Sequence, residues 1–300
     1  MTPDPFTNLR TLLFSLAYRM LSTVSDAEDM VQETYLRWMQ VDPTTVQSPK
    51  AYLCSVITRL CIDQLRSAKA TRESYIGEWL PEPMLTDPNP DHNPTERAEL
   101  AESLSMAFLQ LMERLSPTER AAYLLHEVFD YGYDEIAEFL DSSEANCRQL
   151  VKRGKDHLAQ TKTRFHASNN EERQRVLGQL MQACTTGDVH QIEQVLCADI
   201  VAYADGGGRR GAGLHPIVGA THVARLLIGL MGRAPEGYAM QMGQINGEPA
   251  LIGTLKQQTE LFNIMIFSVT ENQVQNIYSL INPIKLRPIA RQLGMTVAST

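Results

Sequence analysis

The sequence predicts a multi-domain protein in which two all-α units precede an α+β unit. Over residues 6 to 75 and 95 to 166, apolar side chains recur at helical spacing. Five prolines fall between Gly77 and Pro94, and that density excludes a regular element and predicts a linker. Beyond Glu171, helical periodicity gives way to strand-like runs, an order of elements that is typical of an α+β domain.

The composition narrows the functional class. The chain has 300 residues, enough for two domains or three small ones, and a formal net charge of −8. Because a protein that holds duplex DNA alone is more often basic, the acidity argues against a DNA-binding protein that acts without a positively charged partner. The five cysteines have no metal-ligand spacing, and no apolar run is long enough for a membrane span. We therefore expect a cytoplasmic protein with no metal, no cofactor and no membrane contact.

The second predicted helix of the N-terminal unit begins with a cluster of acidic residues. The run from Asp26 to Glu33 places carboxylates where they favour the positive end of the helix dipole. The same run forms an acidic, partly apolar face that suits docking on a basic helical partner. The alternative, from this run alone, is a charged helix that is simply solvated.

Residues 116 to 158 have the pattern of a helix-turn-helix. Ser116 is a good N-cap, Pro117 suits the first helical position, and Glu119 completes a capping box. After a break at residues 131–133 and a turn at residues 141–143, a last helix begins. Its polar face carries the residue types that contact base edges and phosphates, although a solvated basic face on a helical hairpin remains the alternative. These residues are Asn146, Arg148, Gln149, Lys152, Arg153 and Lys155.

The C-terminal unit is predicted to contain a helix over residues 220–230 and an antiparallel meander of strands between residues 238 and 281. Its polar candidates for acid-base chemistry are Tyr203, Asp205, His215 and His222. Asp205 stands in a glycine-rich turn and is expected to form that turn, while the two histidines are expected at the surface or as caps. With no paired carboxylates and no triad, we predict no catalytic residue and no enzyme activity.

Motifs in the helical part are similar to those of a known family. Residues 16–21, 26–33, 35–38 and 58–67 resemble region 2 of sigma-70-type initiation factors, above all the small extracytoplasmic-function class. Residues 115–120 and the module after them resemble region 4 of the same class. Together the motifs cover about residues 6 to 163, in the order of the family.

Three further signatures resemble one subgroup, in which a SnoaL-like domain, a cone-shaped α+β fold shared with ketosteroid isomerases, follows region 4. They are Trp79–Pro83, Asp205–Gly208 and Asn282–Leu286. Ile284 stands where the subgroup usually has an acidic residue, which puts any ion pair at that position in question. The resemblance implies region 2 over residues 1–76, a proline-rich linker over 77–94, region 4 over 95–166 and a SnoaL-like regulatory domain over 171–290.

The resemblance implies a role for each set of residues. The acidic helix would dock on the β′ clamp helices of RNA polymerase core, and the β subunit of core is a further partner. The loop over residues 41–49 would take up an unstacked base of the −10 element. The linker would lie in the path of nascent RNA, and the last helix of region 4 would contact the −35 element. The core-binding residues are Asp26, Glu28, Asp29, Gln32 and Glu33; the DNA-binding residues in region 2 are Arg59, Arg66, Lys69 and Arg72; the regulatory residues are Trp79, Pro81, Asp205, Gly206, Gly207, Gly208, Asn282, Pro283, Lys285 and Leu286.

The implied function is that of a sigma factor that directs RNA polymerase core to promoters and is regulated in cis by its C-terminal domain. A small molecule bound in the pocket of that domain is a further partner to test. Two alternatives stay open at this point. One is an isomerase- or hydrolase-type enzyme tethered to a DNA-binding module, and the other is a transcription regulator that binds DNA without polymerase.

Overall fold

The computed structural model describes residues 4–42, 45–73, 75–86, 103–159, 170–208 and 213–298, without the side chains of residues 68–73 and 170. The chain folds into two compact units, each made of two separate stretches of sequence. The helical unit comprises Met1–Glu73 and Leu109–Lys162, and the sheet unit comprises Ser74–Phe108 and Thr163–Thr300. The described linker residues therefore pack with the C-terminal part of the chain. The domain boundaries implied by the resemblance stay predictions.

The helical unit begins with three helices whose ends follow from local sequence. Asp4 accepts a hydrogen bond from the Phe6 amide at 3.2 Å, and Ser22 ends the first helix in a left-handed conformation. The second helix begins one residue before the predicted cap, Ser25. The bounds are α1 Pro5–Leu21, α2 Val24–Trp38 and α3 Pro49–Glu73.

The helix-turn-helix follows in the same unit, and its prediction is confirmed. The capping box of Ser116 and Glu119 is present, and the Ser143 hydroxyl accepts a hydrogen bond from the Asn146 amide in the last helix. The helix predicted to begin at residue 95 lies partly outside the described residues. Within the described residues, a bend at Ser105 interrupts this helix. The bounds are α4 Met106–Met112, α5 Pro117–Glu127, α6 Tyr133–Leu140 and α7 Glu144–Ala159. The boundary between the two units falls within α4, after Phe108.

Within the helical unit, α1 and α3 pack against the helix-turn-helix. The buried Arg120 of α5 donates hydrogen bonds to the Met20 carbonyl at 2.6 Å and to Glu113 at 3.0 Å. At the other side, Cys54 of α3 contacts the Tyr131 hydroxyl at 3.4 Å, and burial raises the pKa of that thiol. The two predicted helical domains therefore share polar and apolar contacts in this structure.

The sheet unit is an α+β fold built on one mixed seven-stranded sheet, with strand order β2-β1-β6-β5-β4-β3 and β7 beside β5. The predicted meander is confirmed for β3 to β6, which pair antiparallel in sequence order. The first strand pairs in parallel with β6, a long-range contact that local pattern does not encode. The strands are β1 Leu196–Asp205, β2 Ile217–Val218, β3 Ala239–Ile245, β4 Glu248–Leu255, β5 Glu260–Thr270, β6 Gln273–Leu280 and β7 Thr296–Val297; the helices are α8 Asn170–Thr186, α9 Val189–Val195, α10 Ala220–Met231 and α11 Pro283–Gln292.

The two faces of this sheet are covered by different parts of the chain. One face packs against α8, α9 and α10 through residues such as Leu177, Val223 and Phe267. Side chains alternate along a strand, so the sheet has a second apolar face. This face packs against α11 and against residues that precede the helix-turn-helix. Leu80 and Met106 are fully buried there. The linker thus contributes core side chains to the sheet unit.

Helix α11 was not predicted from the sequence, which indicated only a terminal segment there. Asn282 caps it by accepting a hydrogen bond from the Ile284 amide at 3.0 Å, and Pro283 occupies the first turn. Among the described residues, no helix is long and apolar enough to cross a bilayer.

Candidate functional sites

The outer face of α7 carries the residues predicted to contact the −35 element. All six predicted side chains are exposed, while Cys147, Leu150 and Val151 turn inward. Gly154 is buried against the Tyr123 side chain, whose nearest atoms would lie 3.4 Å from an added Cβ. The helix therefore presents one polar, largely basic side to solvent.

Three of these side chains have partners inside the helix-turn-helix. The side-chain amide of Asn146 donates a hydrogen bond to the Ser142 hydroxyl at 2.8 Å, and the Lys155 ammonium pairs with the Glu127 carboxylate at 2.9 Å. Arg148 pairs with Glu144 at 2.7 Å, and its guanidinium lies 5.0 Å from the ring centre of Tyr133. These side chains are therefore oriented before any ligand binds.

The acidic helix α2 exposes part of the predicted core-binding set. Glu28, Asp29 and Gln32 are exposed, and Glu33 is half-buried. Two of its carboxylates pair with arginines: Glu28 with Arg10 at 2.6 Å and Glu33 with Arg37 at 3.0 Å.

Asp26 has a structural role at the start of α2. It accepts hydrogen bonds from the Thr23 hydroxyl at 2.6 Å and from the Gln64 amide at 3.5 Å. Leu36 and Met39, which are 49% and 65% exposed, were not predicted as part of this surface. Their spacing from Asp29 and Gln32 continues one stripe along the helix, a pattern that the sequence already contained.

The predicted DNA-backbone residues of α3 are only partly described. Arg59 donates hydrogen bonds from Nε to the Phe139 carbonyl at 3.1 Å and from Nη2 to the Glu138 carbonyl at 3.3 Å, at the carboxyl end of α6. Arg66 lies 3.5 Å from Asp63. The side chains of Lys69 and Arg72 fall outside the described part of the chain.

The three signatures meet at one buried carboxylate, that of Asp205. We call the cluster around it the linker anchor and define it as Tyr75, Trp79, Leu80, Asp205, Asn282 and Lys285. The fully buried Asp205 carboxylate accepts hydrogen bonds from Lys285 at 2.6 Å, from the Tyr75 hydroxyl at 2.5 Å and from the Leu80 amide at 3.0 Å. The ammonium of Lys285 also donates to the Leu80 carbonyl and lies 4.1 Å from the ring centre of Trp79. Burial, and then the bond to Asp205, raise the pKa of Tyr75.

The glycines of the second signature are needed for this packing. Gly207 and Gly208 have φ of +60° and +83°, and a Cβ on Gly207 would lie 2.7 Å from the Asn282 amide. That amide donates to the Tyr75 hydroxyl at 2.8 Å. Gly206, Pro81 and Leu286 are buried beside them, and Pro283 is half-buried. Ile284 is exposed, and the observed ion pair of the third signature is that of Lys285 with Asp205.

A second contact holds the linker on the β3–β4 turn, and we call it the hairpin clasp: Asn246, Gly247 and Glu248. Fully buried Asn246 accepts a hydrogen bond from the Met84 amide at 2.8 Å and donates one to the Leu104 carbonyl at 2.9 Å. The Gly247 amide donates to the Thr86 hydroxyl at 2.9 Å. One turn thereby binds Met84 of the linker and Leu104, which lies twenty positions later and precedes α4.

Glu248 adds a buried acid to the hairpin clasp. Its carboxylate accepts a hydrogen bond from the Met106 amide at 3.0 Å, at the start of α4. Burial raises the pKa of Glu248, and the hydrogen bonds from Ser268 and Met106 offset part of that shift.

The polar candidates for catalysis do not converge. Asp205 accepts a hydrogen bond from the Gly207 amide at 3.1 Å, which confirms its predicted turn role, and its carboxylate is otherwise engaged in the linker anchor. Tyr203 stacks on Tyr278 at 5.4 Å, while His215 and His222 are exposed, as predicted for both histidines. Within the described ranges, no group of three His, Cys, Asp or Glu side chains could hold a metal ion.

Comparison with known proteins agrees with this architecture. Residues 6–71 match the family model for sigma-70 region 2, and residues 105–158 match that for sigma-70 region 4. The chain is 34% identical to the ECF RNA polymerase sigma factor SigJ of Mycobacterium tuberculosis over 95% of this chain and 93% of that protein. It is 28% identical to the probable ECF sigma factor SigI of the same species over 95% and 94%.

A solved structure shows the same fold along nearly the whole chain. The crystal structure of Mycobacterium tuberculosis SigJ superposes with a TM-score of 0.75 and 32% sequence identity, covering 94% of this chain and 97% of that one. The predicted fold class, two helical sigma domains and a C-terminal SnoaL/NTF2-like domain, is confirmed. The chain therefore belongs to the extracytoplasmic-function (ECF) class of RNA polymerase sigma factors.

Proposed function

We propose that this chain directs RNA polymerase core to specific promoters in the cytoplasm and that its sheet unit regulates this activity through the linker. The observation that supports the regulatory part most strongly is the burial of linker residues in the sheet unit. A segment that only joined two domains would be expected at the surface, whereas Leu80 is buried and its backbone amide donates a hydrogen bond to Asp205.

The outer face of α7 is our proposed contact with the −35 element. Arg148, Gln149 and Lys152 would contact bases, and Arg153 and Lys155 would contact phosphates, with Asn146 at the start of the face. Exposed Arg, Gln and Lys side chains on the second helix of a helix-turn-helix are the groups that contact the major groove.

The exposed stripe of α2 is our proposed contact with the β′ clamp helices of the polymerase core. Asp29 and Gln32 supply polar groups, and Leu36 and Met39 add apolar area that water now covers. Because Asp26 already accepts two intramolecular hydrogen bonds, we assign it mainly to holding the start of the helix.

The packing of α3 on α6 supports a regulated, two-state function. Promoter elements centred at −10 and −35 lie about 85 Å apart along straight duplex, since each base step rises about 3.4 Å. Helices that share the contacts of Arg59 and Arg120 within one unit would have to separate to reach both elements. We propose that this closed arrangement is the form without polymerase.

The linker is the proposed route of regulation in cis. The linker anchor and the hairpin clasp keep its described residues on the sheet unit, whereas during initiation the linker would lie in the path of nascent RNA. Release of the linker would then accompany assembly with core. A small molecule that binds the sheet unit would act by changing the free energy of this release. Because the Asp205 carboxylate is buried in an ion pair with Lys285, we assign the sheet unit a regulatory rather than a catalytic role.

Run-off transcription with purified core polymerase tests the central assignment. We expect the full chain to support initiation from promoters that share a −10 and a −35 element, and expect Asp29→Lys with Glu33→Lys to abolish it by preventing core binding. Lys256→Ala, which removes an exposed ion pair with Glu260 in the sheet unit, is the matched surface control. Sequence-independent DNA binding without initiation would overturn the proposal in favour of a regulator that acts without polymerase.

A further inference from the structure

We propose that Tyr133 and Glu144 are positioning residues that hold Arg148 in the orientation it needs to contact the −35 element. This inference rests on the proposed function, and it names two side chains outside the predicted DNA-binding set. They lie on different helices of the helix-turn-helix, Tyr133 at the start of α6 and Glu144 at the start of α7.

The Tyr133 ring contacts two neighbouring side chains. The ring centre of His126 lies 4.3 Å from that of Tyr133, with the planes 31° apart. The Arg148 guanidinium lies 5.0 Å from the tyrosine ring centre. His126 is itself held by a 3.1 Å contact between Nδ1 and the Tyr131 carbonyl. These contacts connect the exposed Arg148, through Tyr133, to the half-buried His126.

Tyr133 is a firm support because its ring also joins the apolar core of the helix-turn-helix. It is half-buried and packs against the cluster of Ala122, Leu150 and Val151. A cation held over an aromatic face gains favourable electrostatic energy from the ring quadrupole. The position of the arginine is thus linked to the packing of α6 on α7.

Glu144 fixes the direction of the guanidinium. Its carboxylate accepts a hydrogen bond from Arg148 Nη2 at 2.7 Å, one helical turn away. Arginine has five N–H donors in a planar fork, so a bond through one of them leaves others for the N7 and O6 acceptors of guanine. An arginine that is already oriented loses less side-chain entropy when it binds.

Three variants in the holoenzyme test this inference: Tyr133→Phe keeps the ring, Tyr133→Leu removes it, and Glu144→Gln removes the carboxylate. Each is made with Arg148 intact and with Arg148→Ala. The readout is the initiation rate on promoters with each single-base change across the −35 element. We expect Tyr133→Phe to match the wild type and Tyr133→Leu to lower the preference at the Arg148-dependent position by about 2- to 5-fold.

The double variants separate positioning from a general structural effect. We expect Tyr133→Leu and Glu144→Gln to cause no further loss of preference once Arg148→Ala is present, because the side chain that they position is gone. An equal loss in both backgrounds, or no loss with Arg148 intact, would overturn the positioning role. Glu144 is exposed, so its variant keeps the test valid if Tyr133→Leu fails to fold.

The same data distinguish failure of this inference from failure of the proposed function. If Arg148→Ala leaves the preference unchanged at every −35 position, the proposed contact of α7 with bases is wrong. If Arg148→Ala relaxes one position while Tyr133→Leu and Glu144→Gln do not, only the positioning role is wrong.

Discussion

The outer face of α7 and the linker anchor each contain a close ion pair, yet the two pairs lie in opposite environments. Arg148 and Glu144 are 2.7 Å apart with side chains 56% and 48% exposed, whereas Lys285 and Asp205 are 2.6 Å apart with side chains 8% and 0% exposed. An exposed pair contributes little to stability, so Glu144 can orient Arg148 for DNA without being needed for the fold. A buried pair persists only when its remaining polar atoms are satisfied, and here the linker supplies one of those partners, the Leu80 amide.

The largest expected effect is at the linker anchor. Lys285→Met should lower the free energy of unfolding of the sheet unit by about 3–5 kcal/mol, because it leaves a buried carboxylate without its counter-ion. Adding Asp205→Asn removes that charge and should recover part of the loss. Thermal unfolding of the full chain measures both, and a double variant less stable than Lys285→Met would contradict the comparison.

The next effect concerns the linker as part of the core. Leu80→Ala should cost about 2–5 kcal/mol because the side chain is fully buried beneath the sheet. Ile76→Ala, four residues earlier and 66% exposed, is the matched control and should change the free energy of unfolding little. Urea denaturation reports both, and equal effects of the two changes would show that the linker does not contribute to the core.

A smaller effect is expected from pH at the hairpin clasp. The pKa of Glu248 is raised in the folded state, so its contribution to stability is present at low pH and is lost as pH rises through that folded value. Glu248→Gln keeps an acceptor for the Met106 amide and removes the charge. Relative to this variant, the wild type should lose stability as pH rises above about 4.5, by at most about 1.4 kcal/mol per pH unit for one proton. Parallel stability curves from pH 4 to pH 8 would contradict the burial of a titrating Glu248.

The smallest effect on stability is expected at the proposed core-binding stripe. Asp29→Lys with Glu33→Lys should change the unfolding midpoint little, because Asp29 is exposed and the pair of Glu33 with Arg37 is largely solvated. The same variant should no longer co-purify with polymerase core. Retention of core binding at the wild-type yield would refute the docking assignment and leave the fold untouched.

The sequence predicted features that depend on near neighbours. The capping box of Ser116 and Glu119, the exposed face of α7 and the strands β3 to β6 all follow from residues a few positions apart. The linker anchor joins Asp205 to a lysine 80 positions away and to Tyr75, 130 positions away in the other direction. Their contact depends on the fold of the whole unit, so the signatures named the residues without revealing that they meet.

The same reason explains the other differences. The parallel pairing of β1 with β6 is set by packing across the sheet, and helix α11 is stabilised by burial of Leu286 and Ile289 on a face that the linker also covers. No local sequence pattern marks Asn246 and Glu248, because their role comes from the distant backbone amides that they bind, those of Met84 and Met106.

The linker can be locked to the sheet unit by a reversible covalent bond. Leu85 faces Ile245 across an antiparallel bridge, and the flanking bonds from Thr86 to Gln244 and from Asn246 to Met84 make it a non-hydrogen-bonded pair. Such pairs place Cα atoms about 4.5 Å apart, within the range of disulfides. Leu85→Cys with Ile245→Cys should therefore form a disulfide, and the reduced form of the same variant controls for the two lost apolar side chains.

Initiation by this double-cysteine variant with polymerase core, measured before and after reduction by dithiothreitol, tests the central claim most directly. If the sheet unit regulates through release of the linker, the oxidised form should initiate at least tenfold more slowly than the reduced form, the ratio that a bias of about 1.4 kcal/mol produces. Equal initiation rates in the two forms, with the disulfide verified by mass spectrometry, would contradict regulation through the linker.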